Sequence, residues 1–328
     1  MRRASLLAAV AFLVLAVPAV AGARVAVAPG EVVFTGARTP QGKTLVRGVH
    51  SDGTQLRTLP LGERKRAWWS PDGTKAVVMR GKLSIVNADG SGTVVLRASC
   101  AGRCDVAWSA DGKRIAYTVV EACSSPPCGS YLATVRASGG DRKVLLRFRG
   151  ASVESPAWSP DGKTIAFVEE ASGIQDLNRV GANGRGFTRL APADGGEYAP
   201  GYRPVWTPDS KRILFSAKRG GVQRVLSIHR SGSDLQTLAA GWWPVVSPNG
   251  EQVAFVSGDD IGYVAPLAGG TAKLVARRVD SAFVWSPDGA ELAYVGGDSR
   301  VHVAAANGKR RRAITDAYAR LGSLAWRP

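Results

Sequence analysis

The chain has 328 residues, 45% of them hydrophobic and 21% charged, and its 43 Lys+Arg against 26 Asp+Glu give a formal net charge of +17. That apolar content excludes an intrinsically disordered chain. The 39 Gly and 18 Pro are scattered without a Gly-x-y period, which excludes collagen-like and low-complexity readings and leaves a basic, turn-rich globular protein.

Residues 1–23 read as a cleaved signal peptide. Arg2 and Arg3 give a positive start, Leu6 to Val17 an apolar run, and Ala19-Val20-Ala21 or Ala21-Gly22-Ala23 a small-residue cleavage site. No later stretch reaches the roughly 18 apolar residues of a membrane span, and the first cysteine is Cys100, so lipid attachment behind the leader is not expected. The expectation is an extracytoplasmic protein (periplasmic, envelope-bound or secreted) with one domain over residues 24–328. Export also redirects the meaning of the positive charge. Nucleic acid is not an expected partner; an envelope protein or an anionic envelope polymer is, unless the charge serves solubility alone. A monomer is expected.

One phrase then recurs along the chain. Its copies are Trp69-Ser70-Pro71-Asp72-Gly73, Trp108-Ser109-Ala110-Asp111-Gly112, Trp158-Ser159-Pro160-Asp161-Gly162, Trp206-Thr207-Pro208-Asp209-Ser210, Val246-Ser247-Pro248-Asn249-Gly250 and Trp285-Ser286-Pro287-Asp288-Gly289, with a truncated copy at Trp326-Arg327-Pro328. The lead positions are spaced by 39, 50, 48, 40, 39 and 41 residues, a period suited to four short strands and their turns. Pro presets φ at the second turn position, Asp suits the third, and Gly accepts the left-handed conformation that follows. The phrase therefore closes a tight hairpin between a first strand ending at the Trp and a second such as Thr164 to Val168. The tryptophans Trp69, Trp108, Trp158, Trp206, Trp285 and Trp326 are the structural repeat residues, large enough to fill the wedge between neighbouring blades. The expected fold is all-β, a seven-bladed β-propeller of four-stranded antiparallel blades. Pro29 to Phe34 reads as the second half of the phrase and Trp326 to Pro328 as its first half, so the N- and C-terminal strands are expected to pair and close the ring. Six blades is the alternative, should the N-terminal blade be irregular.

The Trp-Ser-Pro-Asp-Gly-Lys-x-Ile-Ala-Phe form of the phrase, complete from Trp158 to Phe167, resembles the TolB-type propeller repeat of exported bacterial proteins, over residues 30 to 328. The resemblance implies the propeller fold and an envelope location. TolB itself carries an additional N-terminal α/β domain and binds a peptidoglycan-associated lipoprotein; Arg24 to Glu31 leaves no room for that domain, so the full Tol role is not expected. The same repeat occurs in the propellers of oligopeptidases and of some polysaccharide lyases.

Chemistry-bearing motifs are sparse. There is no Gly-x-Ser-x-Gly elbow and no His-Glu-x-x-His pair. His50 and His229 occupy one repeated turn position and His302 a strand between Val301 and Val303, so no catalytic residue, metal or cofactor is expected. The aspartates Asp72, Asp111, Asp161, Asp209 and Asp288 are explained by their turns. Cys100, Cys104, Cys123 and Cys128 all fall in the second repeat and, in an exported chain, are disulfide candidates with three possible connectivities. The binding candidates lie where the chain leads into each first strand, on the face opposite the Pro-Asp-Gly turns: Arg66, Asp105, Glu154, Tyr202, Arg203, Trp242 and Trp243. They stand three or four residues before the lead position; read by simple alternation, this outer part reaches solvent and the next position inward (Ala67, Val106, Pro156, Pro204, Pro244, Phe283, Leu324) packs. Aromatic and Arg side chains of this kind suit protein-binding hot spots. Replacing Arg66, Arg203 and Trp243 together is expected to remove binding without lowering thermal stability. The function expected is a non-enzymatic binding scaffold at the cell envelope. The alternative is a propeller that binds or cleaves an anionic polysaccharide.

Overall fold

The computed structural model describes residues 30–39, 41–63, 66–80, 82–99, 104–121, 129–191, 203–219 and 221–327. The leader, Tyr202, Cys100, Cys123 and Cys128 lie outside the described residues. The described residues form 28 strands in seven four-stranded antiparallel sheets. Blade 1 combines β28 (Arg320–Arg327) with β1 (Glu31–Ala37), β2 (Leu45–His50) and β3 (Arg57–Glu63), in that order. Blades 2 to 7 follow consecutively and start with β4 (Ala67–Trp69), β8 (Val106–Trp108), β12 (Ser152–Trp158), β16 (Val205–Trp206), β20 (Trp242–Val246) and β24 (Val284–Trp285). These first strands touch one another in a closed circle that runs through β28, so they line the central channel. Seven blades are present, and the six-bladed alternative falls.

Each Pro-Asp-Gly turn is a small hydrogen-bonded unit. In the first copy Ser70 Oγ donates to Asp72 Oδ1 at 2.6 Å and accepts from Lys75 N at 3.0 Å, while Gly73 N donates to Ser70 O at 2.9 Å. The same pattern holds at Ser109, Ser159, Thr207, Ser247 and Ser286. These bonds favour the ionised carboxylate. The hydroxyl of Ser70, Ser109, Thr207 or Ser286 accordingly holds Asp72, Asp111, Asp209 and Asp288 below the usual range. At Asp161 burial pushes upward, but Ser159, the Lys163 amide and Arg230 outweigh it and the net shift is down.

Between the blades lies the core. The second strands carry buried aromatics at a repeated position, Phe34, Tyr117, Phe167, Phe215, Phe255 and Tyr294, and burial raises the Tyr294 phenol to about 12. The repeated tryptophans also tie blades together: the indole N–H groups of Trp108, Trp206 and Trp285 donate to Trp68 O, Ala157 O and Val245 O of the preceding blade at 2.8, 3.0 and 3.1 Å. Each staple joins segments 40 to 49 residues apart through the residue just before the preceding lead position.

Ring closure takes the expected form. β1 pairs antiparallel with β28 in the register Glu31↔Arg327, Val32↔Trp326 and Val33↔Ala325, so one blade is shared between the N-terminal and C-terminal strands and the ring is closed. The basic run Lys309 to Arg312 contributes here. Arg312 donates to Ser51 O in blade 1 at 2.7 and 3.1 Å and to Glu291 in blade 7 at 3.1 Å, so the Arg312 charge is structural.

Candidate functional site

The channel holds a cavity of about 750 Å³ that runs from its mouth on the strand-entry side to Pro71 of the first turn, within the range of ligand pockets. Its wall is the column just before the lead Trp, including Trp68, Val205, Val245, Val284 and Ala325, and its mouth carries Arg66, Arg203, Trp243 and Ser323. Trp69, Trp108 and Phe283 complete an aromatic lining.

The expected rim residues separate into three groups. Arg66 and Arg203 are exposed and line the cavity, and Trp243 lines it half-buried. Asp105 is buried behind them and acts as their common counter-ion. Arg66 Nη1 lies 3.3 Å and Arg203 Nη2 3.7 Å from its Oδ1, while Oδ2 accepts from Ser155 N at 3.1 Å. One carboxylate thus links blades 2, 3, 4 and 5, and it leaves the mouth with one net positive charge from the three side chains. Glu154 and Trp242 turn away. Glu154 is 6% exposed and accepts from Ser152 Oγ at 3.4 Å. Trp242 packs into the wedge between blades 6 and 7 and meets Trp243 edge to face, with centroids 6.1 Å apart.

Simple alternation is corrected here: the positions three and four residues before the lead, which hold Asp105 and Glu154, do not uniformly reach solvent. The reason is a β-bulge. The register shifts between Glu154 and Ala157 and between Trp242 and Val245, and Ser155 and Trp243 take left-handed φ of 50° and 56°. An extra residue in the first strand re-aims its side chains, sending Trp242 into the wedge and Trp243 into the cavity. The inner column does pack: Ala67, Val106 and Phe283 are 4%, 6% and 1% exposed. The cavity wall itself was not among the sequence candidates, although its apolar Trp, Ala and Val residues immediately before each lead position carried the signal.

The other chemistry-bearing residues are engaged elsewhere. His50 and His229 carbonyls each accept from a turn glycine, Gly53 and Gly232, as their repeat position implies. His302 Nε2 pairs with Asp298 at 2.8 Å and its ring stacks on Tyr294. Cys104 is buried and is not a free thiol. Among the described residues no three His, Cys, Asp or Glu side chains group to hold a metal ion, and no helix is long and apolar enough to cross a membrane.

The family model for the TolB beta propeller domain matches residues 72–328. The chain belongs to the TolB beta-propeller family. Solved structures carry the same fold at low identity. TolB from Acinetobacter baumannii is 17% identical with a TM-score of 0.57, covering 90% of this chain and 82% of that one. An oligogalacturonate lyase in complex with manganese is 15% identical with a TM-score of 0.68, covering 84% and 85%. A puromycin hydrolase S511A mutant is 16% identical with a TM-score of 0.69; the match covers 90% of this chain and 53% of the hydrolase. A search of curated proteins found no match. This member of the TolB beta-propeller family therefore shares its fold with TolB, a lyase and a hydrolase alike, and the fold alone assigns no role.

Proposed function

We propose that the protein is an exported, non-enzymatic propeller of the cell envelope that grips an anionic segment of a partner protein at its channel mouth. The observation that carries this reading is the pairing of Arg66 and Arg203, from blades 2 and 5, over a cavity walled by Trp68, Trp69, Trp108, Trp243 and Phe283. Arginine and aromatic side chains are the usual anchors of protein interfaces, and the guanidinium fork matches a carboxylate. Support for a binding role comes from the state of the titratable groups. Asp105 is occupied by two guanidinium groups and an amide, and His50, His229 and His302 do not line the cavity. Export is supported by the pattern of residues 1–23 and by a cysteine that is not a free thiol.

A second reading, cleavage or binding of an anionic polysaccharide, is favoured by the positive mouth and by the likeness to the lyase fold. Two measurements separate them. Acidic peptides rich in aromatic residues should bind wild type and lose at least tenfold in affinity with Arg66→Ala. Uronate oligomers incubated with the protein, with and without manganese, should yield no unsaturated product. Unsaturated product formation would overturn the scaffold reading in favour of the enzyme.

A further inference from the structure

Among the described residues, Arg179 is a cation without a counter-ion. It lies on β14 (Ile174–Gly181), in register with Ala166 on β13 (Thr164–Ala171) and Thr188 on β15 (Thr188–Ala191). Register partners share a sheet face, and Ala166 belongs to the core between blades 4 and 5 with Leu177, Trp206 and Ile213. Arg179 therefore points into that wedge. It is half-buried, and its Nε is buried with no hydrogen-bond partner.

A second guanidinium enters the same wedge from blade 5. Arg230 Nη1 donates to Asp161 Oδ2 at 3.0 Å and Nη2 to Thr164 Oγ1 at 2.8 Å, with its Cζ 5.9 Å from the Trp206 ring centroid. Thr164 lies two residues before Ala166, on the face that Arg179 shares. Asp161 is the carboxylate of this pair and is committed to Arg230 and to its own turn. Burial, and then repulsion from Arg230, push Arg179 below the ordinary arginine range. A buried N–H of a charged group normally finds a partner, because leaving it bare forfeits its hydration with nothing in return. Arg179, with a buried N–H that has no partner, and Arg230, paired with Asp161, share this wedge, and an oxyanion is the chemistry that would complete such a donor set.

We infer that the wedge between blades 4 and 5 is a binding site for a small inorganic oxyanion of the phosphate or sulfate type, held by the fork of Arg179 and backed by the charge of Arg230. The site is separate from the channel mouth and does not depend on the function proposed there. A ligand bound by the folded state alone raises stability logarithmically with its concentration.

The test is thermal unfolding in sodium phosphate against sodium chloride at matched ionic strength. Phosphate also stabilises proteins generally by exclusion from their surface, so the readout is the difference between wild type and Arg179→Met. Wild type should gain about 2–3 °C over the variant at ten times the phosphate Kd, and the variant should melt no lower than wild type in chloride because it removes an unpaired charge. Arg179→Lys, which keeps stem and charge but loses the fork, covers a failure of the Met variant to fold; it should lose most of the increment. Equal phosphate increments in wild type and Arg179→Met, or full retention in Arg179→Lys, would overturn the site.

Discussion

The Asp105 clamp makes a quantitative prediction that departs from a purely superficial view of the rim. Arg66 and Arg203 are 48% and 55% exposed in their side chains, whereas the Asp105 side chain is 9% exposed. Removing either arginine alone leaves the carboxylate with one guanidinium and the Ser155 amide. At such exposed partners the loss should be under about 1 kcal/mol. Removing both leaves a buried charge with a single amide. Breaking a fully buried pair costs about 3–5 kcal/mol, and the half-exposed guanidinium groups bring this to about 2–3 kcal/mol. The double variant should therefore melt about 4–6 °C below wild type, at roughly 2 °C per kcal/mol for a chain of this size, and by more than the sum of the singles. Adding Asp105→Asn, which can still accept from Ser155 N but carries no charge, should recover most of the loss. Thermal unfolding of the five proteins at pH 7 settles it. An additive double variant with no rescue by Asn would refute the clamp, and with it the idea that rim binding and stability are coupled through one carboxylate.

The inter-blade staples can be tested against one another. Trp108→Phe removes an indole bond to Trp68 O, whereas Trp158 Nε1 is buried without a partner, so Trp108→Phe should cost about 1 kcal/mol more in urea unfolding than Trp158→Phe; equal losses would argue against the staple. Ring closure predicts that Trp326→Ala, at the strand that pairs with Val32 and packs against the core between blades 7 and 1, lowers stability by about 2–4 kcal/mol in one cooperative transition, and an unchanged melting temperature would contradict the shared blade. For pH, the turn aspartates Asp72, Asp111, Asp209 and Asp288 have folded pKa values below 3.8. Their stabilisation is present above the unfolded value and is lost as pH falls through the lowered folded values. Melting temperature should therefore hold down to about pH 4 and fall below it, and Asp288→Asn should flatten that acid limb; an unchanged acid limb in the variant would count against it.

The repeated turn made the architecture legible because one short phrase fixes three things together. Pro and Gly set the turn dihedrals, Ser and Asp lock it by hydrogen bonds such as Ser70 to Asp72, and Trp supplies the wedge filler. Each copy restates the same hairpin, so even the degenerate Val246 copy could be placed by spacing, and the split blade followed from complementary half-phrases at Phe34 and Trp326. The site was less legible for a physical reason. A period-2 reading assumes an unbroken pleat, and the first strands break theirs at Ser155 and Trp243, both in left-handed conformation. No Gly or Asn marks either position; the local signature is instead the proline that follows each, Pro156 and Pro244, a residue confined within sheets to edges and bulges. The consequence of the bulge is to place Trp243, rather than Trp242, in the cavity. The Asp105 clamp was hidden differently: Arg66, Asp105 and Arg203 stand at one repeat position in three blades, and only ring curvature brings the second arginine across two blades to the first. In a propeller the Pro-Asp-Gly face spends its polar groups on its own turns. The mouth keeps two guanidinium groups against one carboxylate, and that imbalance is the chemistry a partner can use.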